Sequence, residues 1–294
     1  MDKRRLGKTE MEVSVVSFGS CAIMRASEKE ADETIEKVLA EGMNHFDVAP
    51  IYGLAEKHIG SWIKRNGKTF SLSCKTTERK KEKVWESIKR SLDTLNIDQF
   101  DIYQFHGVDD IETLDILTSS SGGLEAVLEA RDQKLLKFIG ITGHVPPTHY
   151  EALSRFDFDT VMFPLNRIHA ANPRDWNNYH PLLEQTRQKD VGVFIIKSIA
   201  KGAWTEPKPP HKYNTWYEPF DQKTEIEKSI WFALNQDVSS VVNSGDMTLI
   251  PDIIEAAKSF KGLSEQQEKD IIYESSRFEP LKGPNLSKLP PMEH

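Results

Sequence analysis

From Val15 almost to the C-terminus, short apolar runs alternate with longer amphipathic segments, and this alternation restricts the fold more than anything else in the chain. One run ends at Asp47; others cover 69–75, 100–106, 136–142, 160–164, 191–196 and 239–243. Their length and composition are those of strands. Between them lie helical patterns. Ser27 followed three residues later by Glu30 makes a capping box, and Gly42 provides the stop. Further helices are expected over 55–65, stopped by Asn66-Gly67, and over 82–95, 123–133, 179–189, 223–235 and 248–259, with a short one after Pro146-Pro147. The run 191–196 is nearly all apolar, as a strand buried on both faces should be. Strand–helix alternation predicts a parallel sheet. Eight units counted from Val15 predict a closed (β/α)8 TIM barrel, preferred to an open doubly wound sheet because G-x-G-x-x-G is missing.

The expectation is one domain over 1–294, with the barrel at about 15–260 and a C-terminal helix and tail over 261–294. Two short runs around Gly7 predict an N-terminal β-hairpin. The stretch 201–221 is a long loop after strand seven; Trp204, Trp216 and Tyr217 make it read as an ordered lid. The Pro- and Lys-rich tail 278–294 is expected to wrap the surface or fray.

Charge excludes some functions. With a net charge of −7 and no long block of like charge, no nucleic-acid partner is expected. The mixed-sign run 78–83 reads as a solvated helix face. Two cysteines, Cys21 and Cys74, and no CxxC point away from zinc or iron–sulfur sites and toward a reducing compartment. Both read as ordinary small core residues. Without an apolar leader or a membrane-length apolar run, the expected location is the cytoplasm, with no membrane partner.

Polar residues close three successive strands: Asp47, Lys75 and His106, with Tyr52 just beyond Asp47. Barrel active sites lie at the C-terminal strand ends, so these side chains are expected to converge. A lysine near a tyrosine favours the phenolate and lowers its pKa; an aspartate keeps the lysine charged and fixed. The tyrosine then serves as general acid–base, and the histidine orients and polarises a carbonyl oxygen. Singly, each residue has an ordinary packing reading; their joint occurrence carries the weight.

The segment Phe46-Asp47-Val48-Ala49 through Tyr52-Gly53 resembles the FDxAxxYG segment of the aldo-keto reductases, with Lys75 and His106 at the matching strand ends. The resemblance runs from Leu6-Gly7 to the last barrel helix, and is nearest to a divergent branch with a Thr142-Gly143-His144 turn and a Trp216-Tyr217-Glu218-Pro219 segment. It implies catalytic roles for Asp47, Tyr52, Lys75 and His106, and hydride from a nicotinamide cofactor, acting on a small-molecule aldehyde or ketone, or on an alcohol in reverse. It places the cofactor, NADP by family expectation, against Gly19, Ser20, Thr142, Asn166, Lys197, Ser198, Lys201, Gly202, Ser244 and Gly245. Lys197 and Lys201 would flank its diphosphate.

Several positions depart from the family pattern. Cys21 replaces a common tryptophan, and Gly143-His144 follows Thr142 where an asparagine amide is usual. Met162 replaces a glutamine, so Asn166 is the candidate to supply lost hydrogen bonds. Ile196 replaces an aromatic stacking residue. Asp246 and Met247 occupy the region of the arginine that commonly holds the 2′-phosphate, which keeps NAD open. A cofactor-holding redox sensor or partner-binding protein with little turnover is the alternative. A metal-dependent hydrolase built on His106, His144 and His169 is the weakest reading, since those residues lack ligand spacing.

Overall fold

The computed structural model describes residues 1–205 and 211–283. Eight parallel strands close into a barrel, numbered here β1 (Val16–Gly19), β2 (His45–Asp47), β3 (Ser71–Thr76), β4 (Phe100–Phe105), β5 (Leu136–Thr142), β6 (Thr160–Pro164), β7 (Gly192–Ile196) and β8 (Ser240–Val242). Strand β8 pairs with both β7 and β1, so no edge is left open. Helices follow each strand and cover the outside, as the alternation predicts.

Side-chain parity builds the interior. Phe46, Leu72, Tyr103, Ile139, Val161, Val193 and Val241 belong to the apolar layer between sheet and helices. Ile102, Met162, Phe194 and Val242 form a separate cluster inside the barrel. Because alternate strand residues face opposite sides, Asp47, Lys75 and Gln104 fall on the interior side with the second set. His45 lies deeper, its ring stacked on Phe194 at 4.8 Å and its two nitrogens 2.8 Å from the hydroxyls of Ser71 and Ser73.

The N-terminal hairpin is present. Lys3–Arg5 pairs antiparallel with Glu12–Ser14 across a turn at Gly7–Thr9. Leu6 and Val13 from this hairpin complete the interior cluster and close the floor of the barrel. A Cβ on Gly192 would lie 2.7 Å from Leu6, so this plug needs glycine there.

The capping box at Ser27 is fully formed, with Glu30 Oε2 accepting from Ser27 N at 2.8 Å. Sequence periodicity missed two short helices. Ile111–Thr118 falls where a polar loop was expected; its cap, Asp110 accepting from Thr113 N at 2.7 Å, is a signal the sequence does carry. The five-residue helix Arg167–Ala171 is too short for any period to register. Among the described residues, no helix is long and apolar enough to cross a membrane.

Candidate active site

Asp47 ends β2, Lys75 sits one residue before the end of β3, and His106 follows β4 directly. The β2–β3 and β3–β4 registers place these neighbours at one rim. Lys75 Nζ donates to Asp47 Oδ2 and lies 3.2 Å from the Tyr52 hydroxyl. Tyr52 reaches this point through a tight turn. Gly53 has φ +48°, and a Cβ there would fall 2.5 Å from Met24 O. The Tyr52 and His106 rings meet edge to face at 5.7 Å. Gln104, a site residue that no motif marks, donates from Nε2 to Asp47 Oδ1 at 3.3 Å. Its parity with His106, two residues further on, was the available signal.

The electrostatics of this group are those of a nearly dry site: Asp47, Lys75, Tyr52 and His106 are 2%, 1%, 9% and 7% exposed. Burial works against the Lys75 ammonium, but Asp47 and Tyr52 outweigh it and raise its pKa. Lysine was expected to lower the phenol's pKa. Lys75 does pull it down, yet burial is the larger influence and the net shift of Tyr52 is upward. The phenol is therefore an acid held ready, not a phenolate. Burial and the nearby Lys75 push His106 well below the ordinary imidazole value, so it is neutral near pH 7.

A cleft of about 90 Å³ opens above these residues. Its walls include Gly19, Cys21, Thr142, His144, Met162, Ile196, Lys197, Val242 and Gly245. Thr215, Trp216 and Tyr217 bring the loop after β7 over it, with the Trp216 ring 6.4 Å from that of Tyr52. The loop is tied down by the short ladder between Ala200–Gly202 and Glu218–Pro219, and by Trp204 Nε1 donating to Thr215 O at 2.8 Å. Part of the loop, 206–210, lies outside the described residues. Cys21 lines the cleft, and burial pushes its thiol up to about 12, so it is no nucleophile at neutral pH.

The Thr142-Gly143-His144 turn has a definite structure. Asp109, after β4, accepts from both His144 N and His144 Nδ1, the latter at 2.9 Å. A carboxylate only accepts, so Nδ1 carries the proton. Gly143 makes the contact possible: a Cβ there would lie 2.4 Å from Asp109 Oδ1 and 2.7 Å from His149 Nε2. Asp109 is a site residue the sequence did not single out. The C-terminal segment returns to this rim, with Leu281 O 3.2 Å from His169 Nε2. That return fits the wrapping expected of the tail up to residue 283; the rest, 284–294, lies outside the described residues.

Residues 15–264 match the model of the aldo/keto reductase family. The chain belongs to that family. Among its relatives, an uncharacterized oxidoreductase, YqkF, of Bacillus subtilis (strain 168) is 24% identical, over 96% of this chain and 89% of its own. L-galactose dehydrogenase of Arabidopsis thaliana is 29% identical, over 71% of this chain and 69% of its own. The solved structure of the aldo-keto reductase AKR11C1 from Bacillus halodurans, holo form, shares the fold with a TM-score of 0.72 at 21% identity, covering 94% of this chain and 97% of that one. Family and relatives together support an oxidoreductase.

The residues expected to hold the cofactor divide in two. Gly19, Thr142, Lys197 and Gly245 line the cleft; Ser20, Asn166, Ser198, Lys201, Gly202 and Ser244 are not among its walls. Asn166 has other work. Its Oδ1 caps the helix Arg167–Ala171, accepting from His169 N at 2.9 Å, and its Nδ2 donates to Lys197 O at 3.2 Å. Lys201 is ion-paired with Glu218. Ser20 and Ser244 have buried hydroxyls without partners among the described residues. His106, His144 and His169 do not combine: among the described residues no group of three or more His, Cys, Asp or Glu side chains is placed to hold a metal.

Proposed function

We propose that this chain reduces an aldehyde or ketone by hydride transfer from a reduced nicotinamide cofactor, or oxidises the corresponding alcohol, with Tyr52 as the general acid or base. The observation that carries this reading is the Tyr52 hydroxyl 3.2 Å from the Lys75 ammonium, at the base of a cleft that excludes most water. The residues present suit a dinucleotide. Ser244 offers a buried, unpartnered hydroxyl beside Gly245, and a Cβ on Gly202 would meet nothing nearer than 3.8 Å, so its backbone is open to approach. Ser20, Ser198 and Thr142 would add hydroxyls along the same rim.

When bound, the reduced cofactor supplies the hydride. The protonated Tyr52 donates to the carbonyl oxygen as charge develops on it, and Lys75, held charged by Asp47, stabilises the phenolate left behind. Neutral His106 offers a ring N–H to the same oxygen without adding a charge. Asp246 favours NAD over NADP. Its carboxylate is fixed by Asn214 N at 2.8 Å and Thr248 N at 2.9 Å, where a 2′-phosphate would need a cation.

Titration with NADH and NADPH, followed by nicotinamide fluorescence, tests the cofactor; a panel of aldehydes tests turnover. Tyr52→Phe is expected to cut kcat by roughly a thousandfold, within the usual range for a general acid, while sparing cofactor binding. Full activity in that variant would remove Tyr52 from the mechanism. The commitment of the Asn166 amide to a helix cap favours one other reading, a protein that holds its cofactor with little turnover. Tight, slowly exchanging cofactor with no aldehyde reduced would support it.

A further inference from the structure

Lys197 is a buried amine without a counter-ion. It is 8% exposed, and its Nζ has no hydrogen-bond or ion-pair partner among the described residues. The nearest carboxylate in electrostatic reach is Asp109, but both oxygens of Asp109 already accept from His144. An unpaired buried ammonium is costly, so such a group either gives up its proton or takes a partner. Its backbone is unusual as well. Lys197 has φ +60°, a left-handed conformation rare outside glycine, and Asn166 Nδ2 and Ala200 N both donate to its carbonyl and pin the turn.

Lys197 lines the same cleft as Tyr52, His106 and His144. Of the two phosphate loops, Ser198, Lys201, Gly202 and Ser244 are not among its walls, while Gly245 reaches it beside Cys21. Lys197 thus shares its cavity with the reacting group, while most of the two phosphate loops lies outside that cavity. In the rest of that wall, the charged residues Lys75 and Asp47 are paired with each other, and Met162, Ile196, Val242, Trp216 and Tyr217 carry no charge. We propose that Lys197 binds a carboxylate carried by the carbonyl substrate, so that the cleft selects oxo acids over uncharged aldehydes and ketones. This rests on the oxidoreductase reading above and names its substrate class.

The ionisation of Lys197 is consistent with such a role. Burial draws its pKa down to about 7, against the opposing pull of Asp109. The neighbouring titratable groups are Asp109, His144 and His169, and burial keeps both imidazoles neutral near pH 7. A carboxylate ligand would restore the ammonium, so carboxylate affinity should fall as pH rises above 7.

The test is calorimetric titration of the full chain saturated with NADH. The probes are 4-(hydroxymethyl)benzoate against 4-methylbenzyl alcohol, and 4-hydroxybutyrate against 1-butanol; none can accept hydride. The expected result is at least tenfold tighter binding of each carboxylate, abolished in Lys197→Met and partly kept in Lys197→Arg, with the NADH Kd moving less than twofold. A carboxylate bound no tighter than its uncharged counterpart overturns the proposal. So does a Lys197→Met variant that keeps the preference but binds NADH or NADPH tenfold more weakly, since the ammonium then serves a cofactor phosphate. Failure of the parent reading shows separately, as no change in NADH or NADPH fluorescence on adding the unmodified chain, and the probe pairs are then compared without cofactor. Should Lys197→Met not fold, the preference of the unmodified chain and its decline above pH 7 decide the matter: both present supports the proposal, either missing overturns it.

Discussion

Replacing Lys75 by methionine removes the ammonium and keeps most of the volume. Asp47 is then a carboxylate at 2% exposure whose remaining donor is Gln104 Nε2, at a long 3.3 Å. Breaking a buried pair from one side typically costs about 3–5 kcal/mol, because the other charge is left uncompensated. Protonation caps that cost. Holding an aspartic acid neutral requires about 1.4 kcal/mol per pH unit above its unfolded pKa near 3.9, hence about 1.5 kcal/mol at pH 5 and above 5 kcal/mol at pH 8. The sign follows from linkage. Burial already raises the folded pKa of Asp47, and losing Lys75 raises it further. The penalty is therefore small at acid pH and grows as pH rises from about 4 toward the elevated folded value. Urea unfolding of parent and Lys75→Met at pH 5 and pH 8, with fluorescence and circular dichroism transitions required to coincide, should show a loss of at most about 1.5 kcal/mol at pH 5 and about 3–5 kcal/mol at pH 8. Lys75→Met with Asp47→Leu should recover most of the stability and none of the turnover. A loss equal at both pH values, or no recovery in the double variant, would refute the view of Asp47 and Lys75 as a buried charge pair.

The remaining expectations concern other parts of the site. Asp246→Arg should shift the NADPH:NADH affinity ratio toward NADPH by roughly tenfold through a bidentate phosphate contact, read by fluorescence titration; an unchanged ratio would place the adenosine end elsewhere. Gly143→Ala should cost about 1–3 kcal/mol and loosen the Asp109–His144 contact, seen as a lower Tm and an altered His144 imidazole NMR signal, because its Cβ has no room beside Asp109. Burial lowers His45 to about 3 and His149 and His169 to about 4. These folded values lie below the unfolded value near 6.5, so the stability they confer is complete above about pH 6.5 and is lost as pH falls toward 4, roughly 2 kcal/mol per histidine by pH 5. Tm should therefore drop between pH 7 and pH 5, and His45→Gln should flatten that drop; a flat profile in the parent would count against neutral buried imidazoles.

Local information was enough for the barrel and for the four residues at its mouth. A strand period of two, a helix period of 3.6 and caps such as Ser27 with Glu30 are short-range signals, and eight repeats of one unit leave few ways to close a sheet. Asp47, Lys75 and His106 were legible because each stands at the end of an apolar run, where parity and direction together decide where a side chain goes. Tyr52 was legible through the glycine that follows it.

Properties that depend on distant neighbours were settled by tertiary structure. The net direction of the Tyr52 shift is a balance between burial and Lys75, and burial belongs to the whole barrel. Asn166 became a helix cap because a helix too short to show a period begins at the next residue. Lys201 met Glu218 across a ladder whose strands are separated by most of the loop. Asp109 found His144 by spanning two strand ends. Secondary structure and parity are set within a few bonds of each residue, so the chain alone determined them. Desolvation and pairing arise where segments far apart in sequence exclude water together, and for Lys197, buried with no partner, they could be known only once the barrel had closed.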